Sequence, residues 1–506
     1  MNAKYQIGTP IFLPEQASDL PLLLSRVFEA LRPDLLQAVM ECVANPSPGG
    51  LLAFEEKTGR LTQIIGGHIV AGVVSYLHTQ ETLVDDAVDE ARRGSLVPLR
   101  HRGWRNTSVR FLGGVCLTVW TPYLSEDRKW RPGPKRGIGR RGAAGGGCYP
   151  LLHSLGILGR ATPALYSEVS RQVVRNASIA EARQTLAERG IDLDEKTVRA
   201  IFMRVGAQAL EQRQARIEAA AQGQVFSDEL AGKRIVISTD GGRLRLREGG
   251  DRGRRNKNGH RRYRTPWIEP KVIVVYVIDA KGDKVRELES VYDATLGDAD
   301  ATFEILTAEL LLRGAAKAKE IILTADGAWW IWNRADALAE ALHLAPGQLV
   351  KVADFYHAVE HLTAIADLCT RWTAATRKAW IRRMSHDLKA GRIDKVLETA
   401  RALRPGRSKK IATEIKYFEN RREFMQYGKF RRRKIPLGSG AVESAVRRVI
   451  NLRLKGPAIF WRDENAERML HLRAYYKAGR WNELMLRVMH RSPCGMPAAV
   501  HAAMAA

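Results

Sequence analysis

Three short segments of the 506-residue chain place a carboxylate beside small residues: Ser238-Thr239-Asp240-Gly241-Gly242, Thr324-Ala325-Asp326-Gly327 and Gly438-Ser439-Gly440-Ala441-Val442-Glu443. The first two acids follow apolar runs that read as strands, and open α/β sheets gather their sites at the carboxyl ends of strands. Glu443 falls in the first turn of a predicted helix. Such a trio suits two Mg²⁺ (or Mn²⁺) ions, hard cations that take oxygen ligands and keep several waters, so that few protein ligands suffice. Two ions roughly 4 Å apart activate an attacking oxygen and stabilise the leaving oxygen of a phosphodiester. Taken singly, each acid has a plainer role, as a turn-forming Asp before Gly or a first-turn Glu favoured by the helix dipole. The metal reading rests on the three together. The adjacent glycines would let a ligand approach the backbone.

Phosphodiester chemistry needs a polyanionic partner, and the composition points to one. The chain has 81 Lys and Arg against 55 Asp and Glu, a formal charge of +26, with an ordinary 45% of hydrophobic residues. The excess charge therefore belongs to folded domains that meet a polyanion, and disorder is not expected for the chain as a whole. Three places concentrate it. A Gly-rich loop over 128–141 includes Lys135 and Arg136. The stretch from Gly241 through Lys271 holds eleven Lys and Arg against three acids, among them Arg243, Arg245, Arg247, Arg254, Arg255, Arg261 and Arg262. Tyr263 and Trp267 are interleaved there, the mixture expected where phosphates are neutralised and bases stack. A third run, 429–434, contains Arg431, Arg432 and Arg433. No window has the ~18 consecutive apolar residues of a membrane span, and no secretory signal is visible at the N-terminus. Five scattered Cys argue against a disulfide framework and for a reducing compartment.

The elements that must position these residues follow from periodicity. Leu20–Val43 and Leu61–Leu77 read as helices, and Ser108–Leu112 with Val115–Val119 as a hairpin around Gly113-Gly114. Ser178 with Glu181 forms a capping box for a helix that stops at Gly190, and a second helix runs from Asp194 through Val205 with Lys196 and Arg199 near its start. Helix, Gly-containing turn and basic second helix is the layout of a helix-turn-helix DNA reader. From Lys233 the pattern becomes α/β. Strands are expected over Arg234–Thr239, Lys271–Ile278, Lys284–Tyr292, Glu320–Thr324 and Leu349–Ala353, and helices over Ala299–Arg313 and Ala335–Ala341. Residues 355–427 read as helical almost throughout, and a long helix is expected over Ala441–Leu454.

Several of these segments resemble bacterial insertion-sequence transposases. They are Ala325-Asp326-Gly327-Ala328-Trp329-Trp330-Ile331-Trp332-Asn333, the stretch from Ala353 to Leu362, and the stretch from Gly438 to Trp481 with Arg453-Leu454-Lys455-Gly456, Trp461, Leu472-Arg473-Ala474 and Gly479-Arg480-Trp481. Their order is similar to the ISKra-type transposases of the Mutator-like group, over about residues 233–485 and more loosely over 96–230. The resemblance implies an RNase H-like mixed sheet interrupted by an all-α insertion, with Asp240, Asp326 and Glu443 as a catalytic, metal-binding triad. It implies that the Asp-x-x-His motif falls on Asp354 and His357, which with Trp329 and Trp330 are accessory candidates. Relatives often carry a Cys-rich zinc element. Here Cys116 and Cys148 lack paired C-x-x-C spacing, so no zinc is expected.

The expected organisation is then an N-terminal helical region over 1–95, a small β region with the basic loop over 96–150, and a helix-turn-helix-like region over 151–230. An RNase H-like domain follows in two parts, 231–354 and 437–485, split by the insertion 355–436 and followed by a tail, 486–506. The function implied is a transposase of the prokaryotic cytoplasm, associated with the nucleoid. It would bind the terminal inverted repeats of its element, cleave double-stranded DNA and join a 3′-hydroxyl to target DNA, as a homodimer or higher oligomer. Two other functions fit the same residues: a structure-selective nuclease without strand transfer, and a DNA-binding regulator that has lost catalysis.

Overall fold

The computed structural model describes residues 20–95, 98–126, 147–249, 257, 259, 263–403 and 409–490. The chain is mixed α/β and divides into two compact units, Met1–Ala215 with Asn482–Ala505, and Arg216–Trp481. Among the described residues no single helix is long and apolar enough to cross a membrane.

The first unit opens with helices α1 (Leu20–Ala44), α2 (Pro48–Leu77) and α3 (Glu81–Arg93). Ser47 caps α2 by accepting the Gly50 N–H at 3.1 Å, and Pro48 stands at a position where its missing N–H costs nothing. The expected hairpin has longer arms than its apolar core suggested: β1 (Leu99–Arg110) and β2 (Cys116–Glu126) pair antiparallel, and β3 (Gly147–Cys148) adds to β2. At its turn, a Cβ on Gly113 would lie 2.3 Å from the Gln63 carbonyl oxygen, so only glycine lets the turn meet α2 this closely. Short α4 (Pro150–Ser154), then α5 (Pro163–Arg175), α6 (Ile179–Glu188) and α7 (Glu195–Ala221) follow. Ser178 caps α6 by accepting the Glu181 N–H at 3.0 Å, and Glu181 reaches back past the cap to accept the Ala177 N–H at 3.2 Å. The helix begun at Asp194 does not stop at Val205. It runs on to Ala221, because Ala209, Ala215 and Ala219 keep a small buried face along it.

The second unit is built on a five-stranded mixed sheet in the order β10-β9-β4-β7-β8. Its strands are β4 (Arg234–Gly241), β7 (Lys271–Ile278), β8 (Val291–Thr295), β9 (Glu320–Ala325) and β10 (Leu349–Ala353), while β5 (Leu244–Arg245) and β6 (Trp267–Ile268) form a separate small ribbon. β4, β9 and β10 are parallel, and β7 and β8 run antiparallel on the other side of β4. β4 and β9 are nearly wholly buried, which is why they read as continuous β-branched and aliphatic runs. The strand expected over Lys284–Tyr292 is instead Val291–Thr295. Asp279 accepts the N–H groups of Lys281 and Asp283 at 2.8 and 2.9 Å, and this side-chain turn occupies part of the intervening segment.

Helices α8 (Ala299–Leu312) and α9 (Trp329–Ala341) connect the strands, and α10 (Phe355–Asp367), α11 (Ala374–Lys389), α12 (Ile393–Ala402), α13 (Lys409–Asn420) and α14 (Tyr427–Arg432) follow β10. These later helices share one apolar core with the sheet, from Ile237 and Ile322 through Trp332 and Phe355 to Met384, Leu397 and Tyr427. The long helix expected over Ala441–Leu454 is shorter: α15 (Gly440–Val446) passes into a π turn over Arg447–Asn451. The widened turn frees carbonyls, and Arg473 on α16 (Asp463–Ala478) donates from Nε to the Arg448 and Val449 oxygens, both at 3.0 Å. The segment expected as a tail from 486 begins inside a last helix, α17 (Trp481–Met489).

Candidate active site

Asp240 is the penultimate residue of β4 and Asp326 directly follows β9. The parallel register pairs Ser238 with Thr324, so the two acids stand level on neighbouring strands, each two residues beyond that pair. Ser238 and Thr324 share a hydroxyl hydrogen bond beneath them. Glu443 comes from the first turn of α15, which lies beside β4: Val446 and Ile450 occupy the space where a Cβ on Gly242 would be.

The carboxylates sense one another. Burial, together with the negative charges of Asp326, Glu443 and Glu269, pushes the Asp240 carboxyl up to about 6, against the lowering effect of the Gly241 N–H. Each acid is partly satisfied by a near neighbour. Asp240 Oδ1 accepts the Gly241 N–H at 2.7 Å, Asp326 Oδ1 accepts the Ala328 N–H at 2.9 Å, and Glu443 Oε1 lies 3.5 Å from the Ser439 hydroxyl. The other oxygen of each has no partner among the described residues. Among those residues no group of three or more His, Cys, Asp or Glu could hold a metal ion as the side chains stand. The donor chemistry nevertheless fits a divalent cation: hard carboxylate oxygens, one unpaired on each acid, in a setting that disfavours their shared negative charge.

Glu269 is absent from any sequence motif. It reaches the site because β4 and β7 pair Gly241 with Lys271, which brings the residue two before Lys271 back beside Asp240. Its Oε1 accepts from Lys271 Nζ at 2.5 Å, and that ammonium lies 4.8 Å from the Trp330 ring.

The glycines beside the acids serve packing more than ligand access. A Cβ on Gly241 would meet Glu269 at 2.1 Å, one on Gly242 would meet Ile450 at 2.4 Å, and one on Gly327 would meet Arg421 at 2.6 Å. The space left by each missing side chain is thus taken by the protein itself.

Two contacts tie the acids to the helices after β10. Buried Asp354 accepts the Tyr356 and His357 N–H groups at 2.6 and 3.1 Å, capping α10. Its other oxygen accepts the Ser439 N–H at 2.5 Å and also the Ser439 hydroxyl, at the start of the helix carrying Glu443. From α13, Tyr417 donates its hydroxyl to the Asp326 carbonyl at 3.0 Å, and Arg421 donates to the Gly327 carbonyl at 2.9 Å. The Asp-x-x-His spacing is thus the spacing of a helix cap to the third N–H. The His357 ring itself turns to Glu360 at 3.1 Å and to the rings of His361 and Tyr417.

The tryptophans divide. Trp332 is buried and stacks on Phe424 at 4.6 Å, and Trp330 packs edge-on to Phe303 at 6.3 Å. Trp329 remains 47% exposed, with the Arg421 guanidinium 4.7 Å from its ring.

The basic residues are not all gathered at the acids. Arg243, Arg245 and Arg247 follow Asp240 on the ribbon strand. Arg433 instead pairs with Glu320, the first residue of β9, whose other end leads to Asp326. Arg431 and Arg432 line a cavity of about 660 Å³ with Lys281 and Lys434, by the turn that leaves β7 at its far end from Lys271. The run 429–434 therefore lies at the opposite end of the strands from the acids and does not flank them in space, although it precedes Glu443 in sequence. Lys196 and Arg199 are exposed on the first turns of α7 in the first unit. Lys135, Arg136, Arg254, Arg255, Arg261 and Arg262 lie outside the described residues.

Compared with known proteins, the chain matches no protein-family model, no curated protein and no solved structure.

Proposed function

We propose that the protein is a metal-dependent DNA transposase that cleaves a phosphodiester and joins the freed 3′-hydroxyl to target DNA. The observation that carries this reading is geometric: Asp240 and Asp326 stand level at the carboxyl ends of the adjacent parallel strands β4 and β9, and Glu443 lies in the first turn of the helix packed beside β4. The strand order supports it. Three antiparallel strands β4, β7 and β8, with two parallel strands added on the far side of β4 through helical connections, is the arrangement of an RNase H-like fold. The likeness of the Asp326, Asp354 and Gly438–Trp481 segments to ISKra-type transposases supports joining as well as cutting.

Within this reading, Asp240 and Asp326 hold their unpaired oxygens level on adjacent strands, and Glu443 faces them from the helix. When bound there, two Mg²⁺ or Mn²⁺ ions would supply activation of the attacking oxygen and charge neutralisation at the leaving oxygen. The chain's own contribution is positioning: Tyr417 and Arg421 fix the loop after Asp326, and Asp354 fixes the start of α15. Arg243, Arg245 and Arg247 would neutralise phosphates beside the acids.

Self-association has a surface to draw on. On α1 and α2, Phe28, Leu35, Leu36, Val39, Met40, Val43, Leu51 and Leu52 are exposed, and those of α1 recur at three-, four- and seven-residue spacing along one side. A second copy of the chain would cover this apolar side.

Purified protein, Mg²⁺ or Mn²⁺, a labelled terminal repeat and a target plasmid test the function. Metal-dependent joining supports the transposase, whereas cleavage without joining would make the protein a nuclease. Binding without chemistry would overturn both enzymatic readings.

A further inference from the structure

We propose that the ribbon leaving Asp240 is a binding site for an unpaired polynucleotide strand, built as a ladder of arginines and aromatic rings. The inference rests on the phosphodiester reading of the acids and names the form of nucleic acid that reaches them.

The ladder follows from alternation. In Arg243-Leu244-Arg245-Leu246-Arg247 the two leucines are buried, so the arginines share the outer face of the strand. Trp267 pairs with Arg245 across the ribbon, and Tyr263 precedes it on the returning strand. The Arg245 guanidinium lies 4.6 Å from the Trp267 ring and 5.7 Å from Phe460, and Arg247 lies 4.3 Å from Tyr263, which meets Phe460 edge-on at 5.9 Å. Trp267 is 51% and Tyr263 40% exposed, so the part of each ring that its arginine leaves uncovered is open to a ligand.

The strand that carries the arginines is held in place before any ligand arrives. Trp461 donates its N–H to the Arg245 carbonyl at 3.0 Å and accepts the Arg247 N–H at 2.7 Å, and its indole N–H donates to Leu454 at 3.1 Å. The arginines carry no ion pair: among the described residues no carboxylate pairs with Arg243, Arg245 or Arg247, whereas Arg216, Arg234, Arg313, Arg392 and Arg480 all have acid partners. Arg245 Nε is buried with no hydrogen-bond partner.

The choice of ligand comes from what rings and guanidinium groups can read. A duplex hides its base faces in the stack and offers only phosphates and groove edges, so two exposed rings add nothing for it. An unpaired strand offers both phosphates for the arginines and base faces for the rings, and stacking tolerates any base. Arg245 is five residues from Asp240, within about 18 Å along the chain, so a strand on the ladder leads to the acids.

The test is fluorescence polarisation of the full chain in EDTA with a labelled 15-nucleotide strand, as DNA and as RNA, and with the matching duplex. Trp267→Ala and Tyr263→Ala are expected to weaken binding of an unpaired strand between about fivefold and 150-fold per stack lost. Duplex affinity stays within about twofold, and Trp267→Phe restores most of the loss. The DNA and RNA arms identify which sugar the strand carries. Unchanged affinity for both unpaired strands, or an equal loss for the duplex, overturns the proposal. Thermal melting of each variant establishes that it is folded. Because binding is read without metal, the two readings fail separately: DNA cutting with unaffected strand affinity removes the ladder alone, and strand binding lost through Trp267 in a chain that never cuts keeps the ladder.

Discussion

The carboxylate of Asp354 and the backbone N–H of Ser439 meet at 2.5 Å, linking the carboxyl end of β10 to the helix that carries Glu443. With the same carboxylate capping α10, one side chain fixes the geometry of two elements. Asp354→Ala would strand several buried donors and remove a cap, and is expected to destabilise the protein by about 3–5 kcal/mol. Asp354→Asn keeps one acceptor and should cost about 2 kcal/mol. In turnover assays the Asn variant should lose kcat with little change in KM, because it misplaces Glu443 without touching DNA. Denaturant melts and kinetics on one substrate check both statements.

The loop after Asp326 gives a second expectation. Gly327 has φ +109°, and a Cβ there would sit 2.6 Å from Arg421 Nε. Gly327→Ala is therefore expected to cost about 2–3 kcal/mol through backbone strain and displacement of Arg421. Tyr417→Phe removes only the bond to the Asp326 carbonyl and should cost about 1 kcal/mol. Cleavage should fall in both variants while duplex binding persists, as gel-shift and nicking assays would show.

These two expectations mark the limits of what was legible in sequence. Asp240 and Asp326 could be placed because apolar strands followed by Asp-Gly are local patterns, and the sheet then set them level. The strand and helix order after Lys233 was legible for the same reason. Glu269 was not, because its position depends on the antiparallel pairing of Gly241 with Lys271. Tyr417 and Arg421 act across more than 90 residues of sequence, through tertiary packing that no local period records. The place of the run 429–434 is tertiary in the same way: it precedes Glu443 in sequence, yet Arg433 pairs with Glu320 at the other end of the strands from the acids. The break of the 441–454 helix at Val446 likewise depends on Arg473, which supplies donors to the carbonyls of the π turn.

The acid cluster predicts a pH effect. The Asp240 carboxyl is raised to about 6 in the folded chain, so its charged form is disfavoured by folding. The contribution of Asp240 to the stability of the metal-free protein should therefore fall as pH rises from about 4, the unfolded value, to about 6, and the loss persists above that, read as the difference between wild type and Asp240→Asn. Asp240→Asn removes that contribution and should stabilise the metal-free chain at pH 7 by on the order of 2 kcal/mol, while abolishing activity. Added Mg²⁺ should raise the melting temperature of the wild type and not of the variant. Calorimetry from pH 4 to 8 checks the sign.

The apolar side of α1 predicts oligomerisation. Phe28→Glu combined with Met40→Glu places two charges on exposed positions, so folding is unaffected while a copy-to-copy interface is broken. Light scattering should find a dimer for the wild type and a monomer for the double variant. A wild-type monomer at tens of micromolar would contradict the assignment of this surface.

The most direct measurement of the central claim is DNA cutting and joining by purified protein with Mg²⁺ or Mn²⁺, comparing wild type with Asp240→Asn, Asp326→Asn and Glu443→Gln on a labelled terminal repeat. The expected result is metal-dependent cleavage and joining by the wild type, lost by at least about 10³-fold in each variant, with DNA affinity retained. Cleavage that survives all three substitutions, or a wild type that binds DNA and performs no chemistry with either metal, would contradict it.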